Sequence, residues 1–439
     1  MTRTLIGKTS ELVGKKVRLS GWVHNRRDHG KLIFIDLRDR TGVIQMVIIP
    51  DKKEAYQTAK EIRSEFVISV IGLVKERPGS MIKNETQTGR VEIEVEQIEV
   101  VSRVEGDLPF DISKNDLELP LATLLDNRNL ALRNKKINDI FKVYAQILKS
   151  YGEVMREHGF LEIKSPKILS AATEGGANFF KIKYFKREAF LAQSPQFYKQ
   201  AGVGAFERVY ETGTVFRAEP HFTTRHVNEY IGFDAEMGFI ESFEDIMAQL
   251  EIVMKRIISD VRKDCQDQLK EYPSEFLVPD IFPRIKLTEA LEILKKEYQK
   301  ESLGIDIDPE GERMISDWAK KKYNSDFIYL THYPTSVRPF YSMQSQDPQY
   351  TETFDLIFRG VEIATGGQRI HEFVKLVDSI KKHKLNPKDY ADYLDIFKLG
   401  MPPHGGWGLG SERIVQKILG LASIKEAILF PRDVKRLTP

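Results

Sequence analysis

With 439 residues, 41% of them hydrophobic and 30% charged, the chain has room for two or more domains and the composition of a soluble globular protein. Its net charge of +2 excludes a bulk polycation, so any contact with a polyanion must come from local patches. One cysteine, Cys265, excludes an internal disulfide, and no apolar run reaches bilayer length; with no secretory core in MTRTLIGKTSELVGKKV, a cytoplasmic protein without a membrane anchor is expected.

Residues 15–101 alternate apolar and polar side chains with turn punctuation, which predicts strands over 15–28, 31–40, 42–50, 65–78 and 90–101. A polar helix, 52–64, falls between the third and fourth. Five strands with a helix at that place is the order of an OB-fold barrel, whose second and third strands often bind single-stranded nucleic acid. The stretch KKVRLSGWVHNRRDHGK supplies a local basic patch. Phe34 and Gln45 are candidates for the binding face, although by pattern alone Phe34 reads as core packing. The barrel is assigned to 1–104. Residues 105–135 lack a sustained period and read as a hinge, leaving a second domain over 136–439.

That domain opens with apolar residues at helical spacing over 137–155, ending at Gly159. FLEIKSPKIL follows as one extended strand, with Pro166 marking an edge or interface. Glu174 precedes two glycines that would let the backbone close over a small ligand. In SPQFYKQ, Lys199 and Gln196 could meet a substrate carboxylate. FRAEPHFTTRHVNEYIGFDAE, 216–236, reads as two antiparallel strands joined by a polar loop. Its arginines, Arg217 and Arg225, suit polyphosphate. Residues 243–263 form a structural amphipathic helix and 283–296 a strand then a helix. Residues 329–342 read as strands meeting a Pro-rich turn, with no role for His332 or Arg338. In ETFDLIFRGVEIATGGQRI, Asp355 and Glu362 lie on adjoining strands, as a hard cation would need, or each could pair with an arginine. Over 401–421, glycines lead into a helix, a weak anion-binding signal; His404 reads as structural.

FRAE…TTRH…NE and GLGSER, in this order, resemble motifs two and three of the class II aminoacyl-tRNA synthetases. From the first strands to LFPRDVKRLTP the chain is similar to the compact archaeal and eukaryotic-like aspartyl-tRNA synthetases. The resemblance implies an α+β protein, with an OB-fold anticodon-binding domain and a catalytic domain of antiparallel sheet flanked by helices. It implies ATP- and Mg²⁺-dependent activation of L-aspartate and its transfer to tRNA(Asp). The helix and Pro-bearing strand after residue 136 resemble motif one, which implies a homodimer.

Residue by residue, the resemblance gives Arg217 the α-phosphate and the substrate carboxylate, and makes it the catalytic residue. ATP falls to Arg217, Ala218, Glu219, Arg225, His226, Val227, Tyr230, Glu362, Gly410, Ser411, Glu412 and Arg413, with adenine between Tyr230 and Arg413. Aspartate falls to Glu174, Gln196, Lys199, Arg217, Asp234, Thr365 and Arg369. Lys199 and Arg369 form a two-cation clamp for its side chain, and Asp234 takes the ammonium. The metal falls to Asp355, Glu362 and Thr365. In the barrel, Phe34 would stack on an anticodon base, reversing the pattern reading, while Gln45 reads a base edge and Arg27 lies alongside. His29 and Gly79 match a bacterial pattern that also accepts tRNA(Asn). His24 matches an archaeal cue pointing the other way, and the balance leans slightly toward relaxed choice. Three rivals stand: an asparaginyl-tRNA synthetase, opposed by Lys199; an amide-forming ligase using ammonia, opposed by the barrel; and a non-catalytic RNA-binding paralogue, opposed by the presence of Arg217, Asp234, Glu362, Arg369 and Arg413.

Overall fold

Alternating burial along five segments makes the N-terminal unit a closed barrel. Strands β1 (Lys16–His29), β2 (Leu32–Asp39), β3 (Gly42–Ile48), β4 (Val67–Glu76) and β5 (Val91–Ser102) close in the order β1-β2-β3-β5-β4, and helix Lys53–Glu61 follows β3. Ile33, Ile35 and Leu37 fill the interior. Phe34 sits between two of them in sequence, so the two-residue period turns it outward, half-buried, and the core-packing reading is corrected.

The computed structural model describes residues 1–82, 88–170, 179–220, 223–273, 275–300 and 304–439. The chain divides into units Met1–Leu119 and Pro120–Pro439, so the short helices Leu121–Asp126 and Arg128–Ala131 go with the second.

The second unit carries β6 (Leu161–Glu162), β7 (Ile168–Leu169), β8 (Lys181–Tyr184), β9 (Arg187–Leu191), β10 (Arg208–Phe216), β11 (Glu229–Gly238), β12 (Arg284–Lys286), β13 (Phe327–Thr331), β14 (Thr353–Phe358), β15 (Val361–Arg369) and β16 (His404–Gly410). Eight of them form one sheet, β12-β13-β14-β15-β16-β11-β10-β6, antiparallel except at its two edge pairs. The apolar stripes of helices Lys135–Glu157 and Phe243–Asp264 cover one face. There Ile147, Tyr151, Leu250 and Met254 pack with Phe233, Ala235, Trp407 and Leu409. Tyr151 stacks on Phe233 with ring centres 4.1 Å apart. Helix Lys135–Glu157 stops before Gly159, whose φ of +78° suits glycine at that place. A capping box between Ser242 and Asp245 starts the other helix.

Two segments differ from expectation. FLEIKSPKIL is two short strands in different sheets: β6 pairs with β10, and β7 with β9. Between them Glu211 accepts hydrogen bonds from Ser165 N at 3.2 Å and Ser165 Oγ at 2.6 Å. With Pro166 unable to donate to a ladder, the chain leaves one sheet and joins the other. Over 329–342 only β13 is a strand, and Thr335–Val337 is a 3₁₀ turn. Among the described residues no helix is long and apolar enough to cross a membrane.

Candidate active site

The face of the large sheet opposite the two long helices is built by alternation. β16 lies between β11 and β15, and Asp234 and Thr365 both stand opposite its Gly408. Glu236 and Gly367 stand opposite Gly406. Residues two apart on a strand share a face, so Gly406, Gly408 and Gly410 leave a floor of bare backbone. A Cβ at Gly406 would overlap Ala235 O and the Glu236 carboxylate, so only glycine fits there.

Over this floor lies a cavity of about 370 Å³. Its wall brings together Gln196, Lys199, Arg217, Glu219, Arg225, His226, Val227, Tyr230, Asp234, Glu362, Thr365, Arg369, Gly410, Glu412 and Arg413. Of the other expected residues, Ala218, Asp355 and Ser411 are not on the wall. Glu174 lies outside the described residues.

At one end stand the two cations of the expected clamp. Lys199, on helix Gln196–Phe206, is 1% exposed. Its Nζ donates to Trp407 O at 2.8 Å and lies 3.3 Å from both Asp234 Oδ1 and Glu236 Oε2. Arg369 Nε donates to Glu236 Oε1 at 2.9 Å, and Nη2 to Gly406 O at 3.1 Å. Glu236 thus joins both cations from beneath. Burial alone would raise its carboxyl; Arg369 and Lys199 outweigh that and hold it below the usual range. Burial lifts the Asp234 carboxyl above its usual range in spite of Lys199, and an arriving ammonium would relieve that. Below the clamp, Gln200 meets His404 Nε2 at 2.8 Å and accepts from Tyr393 Oη and Gln196 Nε2, both at 2.9 Å. His404 is fully buried and its pKa is lowered by burial, in line with a structural role.

At the other end the arginines gather. Arg217 follows β10, and the loop ends are tied by Arg217 N to Asn228 O at 2.9 Å and Asn228 Nδ2 to Arg217 O at 2.8 Å. Arg225 Nη2 donates to Glu312 Oε2 at 2.6 Å, and the same oxygen accepts Glu362 N at 2.9 Å. Arg413 Nη1 donates to Glu362 O at 2.5 Å. Ser411 Oγ turns to Ile231 O at 2.9 Å, and Glu412 accepts Ile231 N at 3.0 Å, so this pair ties the last helix to β11.

Asp355 stands opposite Thr365 across β14 and β15. Burial and the nearby Asp355 raise the Glu362 carboxyl. Asp355 is buried, and its Oδ1 lies 2.7 Å from Arg338 Nη2. An all-oxygen set that includes this raised Glu362 carboxyl fits a hard cation of the Mg²⁺ kind, which needs few protein ligands when phosphate supplies the rest. Among the described residues no group of three or more His, Cys, Asp or Glu is placed to hold a metal without such help.

On the barrel, Arg27 pairs in register with Phe34, and Asp36 with Gln45. Arg27 Nη2 reaches both Asp36 oxygens at 3.0 Å. Gln45 Nε2 donates to Glu92 Oε2 at 3.0 Å. These three candidates therefore share one outer face. His24 Nδ1 is 3.1 Å from Arg38 Nη1, and burial, then Arg38, lowers its pKa. His29 and Gly79 are exposed, and the space around Gly79 is open.

Three residues of the site went unforeseen. Glu236 lies two along from Asp234, and strand alternation could have found it. Glu312 sits on helix Pro309–Tyr323, where nothing in the local pattern marks it. Arg338 Nη2 lies 2.7 Å from Asp355 Oδ1, the pairing open to either metal candidate from sequence.

Residues 121–434 match the family described as class II tRNA synthetases (D, K and N), and residues 17–101 match the OB-fold nucleic acid binding domain. The chain is 42% identical to the aspartate–tRNA(Asp/Asn) ligase of Aeropyrum pernix, covering 99% of this chain and 98% of that one. It is also 42% identical to the aspartate–tRNA(Asp) ligase of Pyrococcus abyssi, covering 98% of each. The crystal structure of asparaginyl-tRNA synthetase from Pyrococcus horikoshii complexed with asparaginyl-adenylate superposes with a TM-score of 0.89 at 32% identity, covering 98% of this chain and 97% of that one.

Proposed function

This chain belongs to the class II tRNA synthetases of the D, K and N group, and from that premise we propose that it is an aspartate–tRNA ligase. One observation carries the choice of amino acid: Lys199 and Arg369, two cations on one cavity wall, are both anchored to Glu236. Two fixed donors suit a side-chain carboxylate and leave a neutral amide poorly matched. Asp234 takes the substrate ammonium, with Gln196 nearby. Glu174 is proposed to bind the amino acid as well.

In the first step an oxygen of the aspartate α-carboxylate attacks the α-phosphate of ATP in line. A carboxyl O–P bond forms, the bond to the β-phosphate oxygen breaks, and pyrophosphate leaves. Arg217 neutralises charge at the phosphorus, and no side chain has to act as nucleophile or strong base. Arg225 and His226 meet the outer phosphates, and Tyr230 and Arg413 hold adenine between them. Asp355, Glu362 and Thr365 would hold Mg²⁺, which would screen phosphate charge when bound. In the second step the terminal ribose hydroxyl of tRNA attacks the adenylate carbonyl and AMP leaves.

The barrel holds the anticodon through Phe34, Gln45 and Arg27. Relatives of equal identity bear both names, tRNA(Asp/Asn) and tRNA(Asp). With His29 and Gly79 set against His24, charging of both tRNAs is the proposed behaviour. Leu161 and Ile168, 47% and 49% exposed, support a homodimer through the motif-one segment. Pyrophosphate exchange with aspartate and asparagine, then charging of pure tRNA(Asp) and tRNA(Asn) transcripts, tests the reading. A preference for asparagine in exchange would overturn it.

A further inference from the structure

Arg338 lines the cavity, and its guanidinium meets two residues assigned to the metal, Thr365 on the wall and Asp355 behind it. Its Nη2 is 2.7 Å from Asp355 Oδ1, and Nη1 donates to Thr365 Oγ1 at 2.9 Å. The guanidinium carbon lies over the Tyr333 ring, 3.7 Å from its centre, in a site that leaves only 13% of the arginine side chain exposed. Glu362 is the remaining expected metal residue; its side chain is 36% exposed and lies 3.6 Å from Arg413.

The chemistry of this group is competitive. A hard cation takes oxygen lone pairs, and those of Asp355 and Thr365 already face a guanidinium. Formal charges of Asp355, Glu362, Arg338 and Arg413 sum to zero, and Asp306, within electrostatic range of Asp355 and Arg338, leaves only one net negative charge, so a free divalent cation meets weak attraction. It would also have to displace a buried arginine from an aromatic ring. A triphosphate reverses this balance, because it brings both negative charge and the oxygens a small cation prefers.

We propose that Arg338 is the resident cation of the metal subsite: it holds Asp355 and Thr365 in the free protein and excludes divalent cations until nucleotide phosphates arrive. Arg338 is thus a positioning residue that makes metal entry conditional on nucleotide. The inference rests on reading this cavity as a metal–nucleotide site.

Electron paramagnetic resonance of Mn²⁺ with the full chain tests it. Wild type leaves Mn²⁺ free in the absence of nucleotide and takes it up when ATP is added. Arg338→Met removes the charge and binds Mn²⁺ without nucleotide at least tenfold more tightly than wild type, and Mn²⁺ raises its melting temperature. Adding Glu362→Gln abolishes that gain. Should the Met variant not fold, Arg338→Gln, which keeps a donor for Thr365 and loses the charge, carries the same expectation. Equal binding by wild type and the variants without ATP overturns the inference alone. No uptake by wild type even with ATP overturns the metal–nucleotide reading itself.

Discussion

Lys199→Met strikes the centre of the clamp. Lys199, Arg369, Asp234 and Glu236 are each at most 6% exposed, and their formal charges sum to zero. Methionine keeps most of the volume and leaves the group at −1, facing a substrate side chain that is itself negative. Truncating one partner of a buried charge pair formed on binding costs about 2–5 kcal/mol. At 1.36 kcal/mol per tenfold, that corresponds to roughly a 30- to 5,000-fold loss of kcat/KM for aspartate. Asparagine presents a neutral amide and would lose about one ordinary hydrogen bond, ~1 kcal/mol, or roughly fivefold. Preference for aspartate should therefore fall by about two orders of magnitude. Pyrophosphate exchange with each amino acid at saturating ATP measures this, with the melting temperature showing that the variant is folded. A loss for aspartate below about tenfold, or equal losses for both amino acids, would refute the reasoning.

Other consequences can be checked separately. Gly406→Ala drives a methyl into Ala235 O and the Glu236 carboxylate; urea unfolding should show a loss of about 1–3 kcal/mol or more, and stability within error of wild type would contradict the close approach. Phe34→Ala should remove about 1–3 kcal/mol of stacking, seen as a higher KM for tRNA with pyrophosphate exchange unchanged; a change in exchange instead would place Phe34 in the wrong role. His24, His332, His371 and His404 are all held below the ordinary 6.5, with burial the largest cause in each. The unfolded chain therefore takes up protons first, so stability is full above 6.5 and declines as pH falls through the lower folded values. His404→Gln, which keeps a polar partner for Gln200, should flatten the fall in melting temperature from about pH 7 to about pH 5, and an unchanged slope would count against a neutral buried imidazole.

Where sequence and structure agree, one local period was enough. The barrel strands were legible because a single buried face writes itself as alternation, and the two long helices because their apolar stripe repeats every turn. The pairing proposed as a clamp came only from the resemblance: nothing in SPQFYKQ or GGQRI says that Lys199 and Arg369 will both reach Glu236. Their meeting depends on β11 and β16 lying between them, a pairing of strands far apart in sequence. Glu236 escaped notice because a carboxylate beside Asp234 looks like one more surface charge until its depth is known. Arg338 and Glu312 lie in turn and helix segments whose partners come from β14, β15 and the hairpin loop. FLEIKSPKIL misled for the converse reason, since its extended pattern is real but Ser165 is captured by Glu211 midway.

The glycine strand sets a limit on how such a protein can change its taste. A floor made of main chain offers evolution nothing to edit at Gly406, where any added carbon is refused. On the proposed reading, selectivity for one amino acid over another lies at the rim, at the helix that bears Lys199 and the end of the strand that bears Arg369. The fold that carries this plate is shared with an enzyme crystallised with asparaginyl-adenylate.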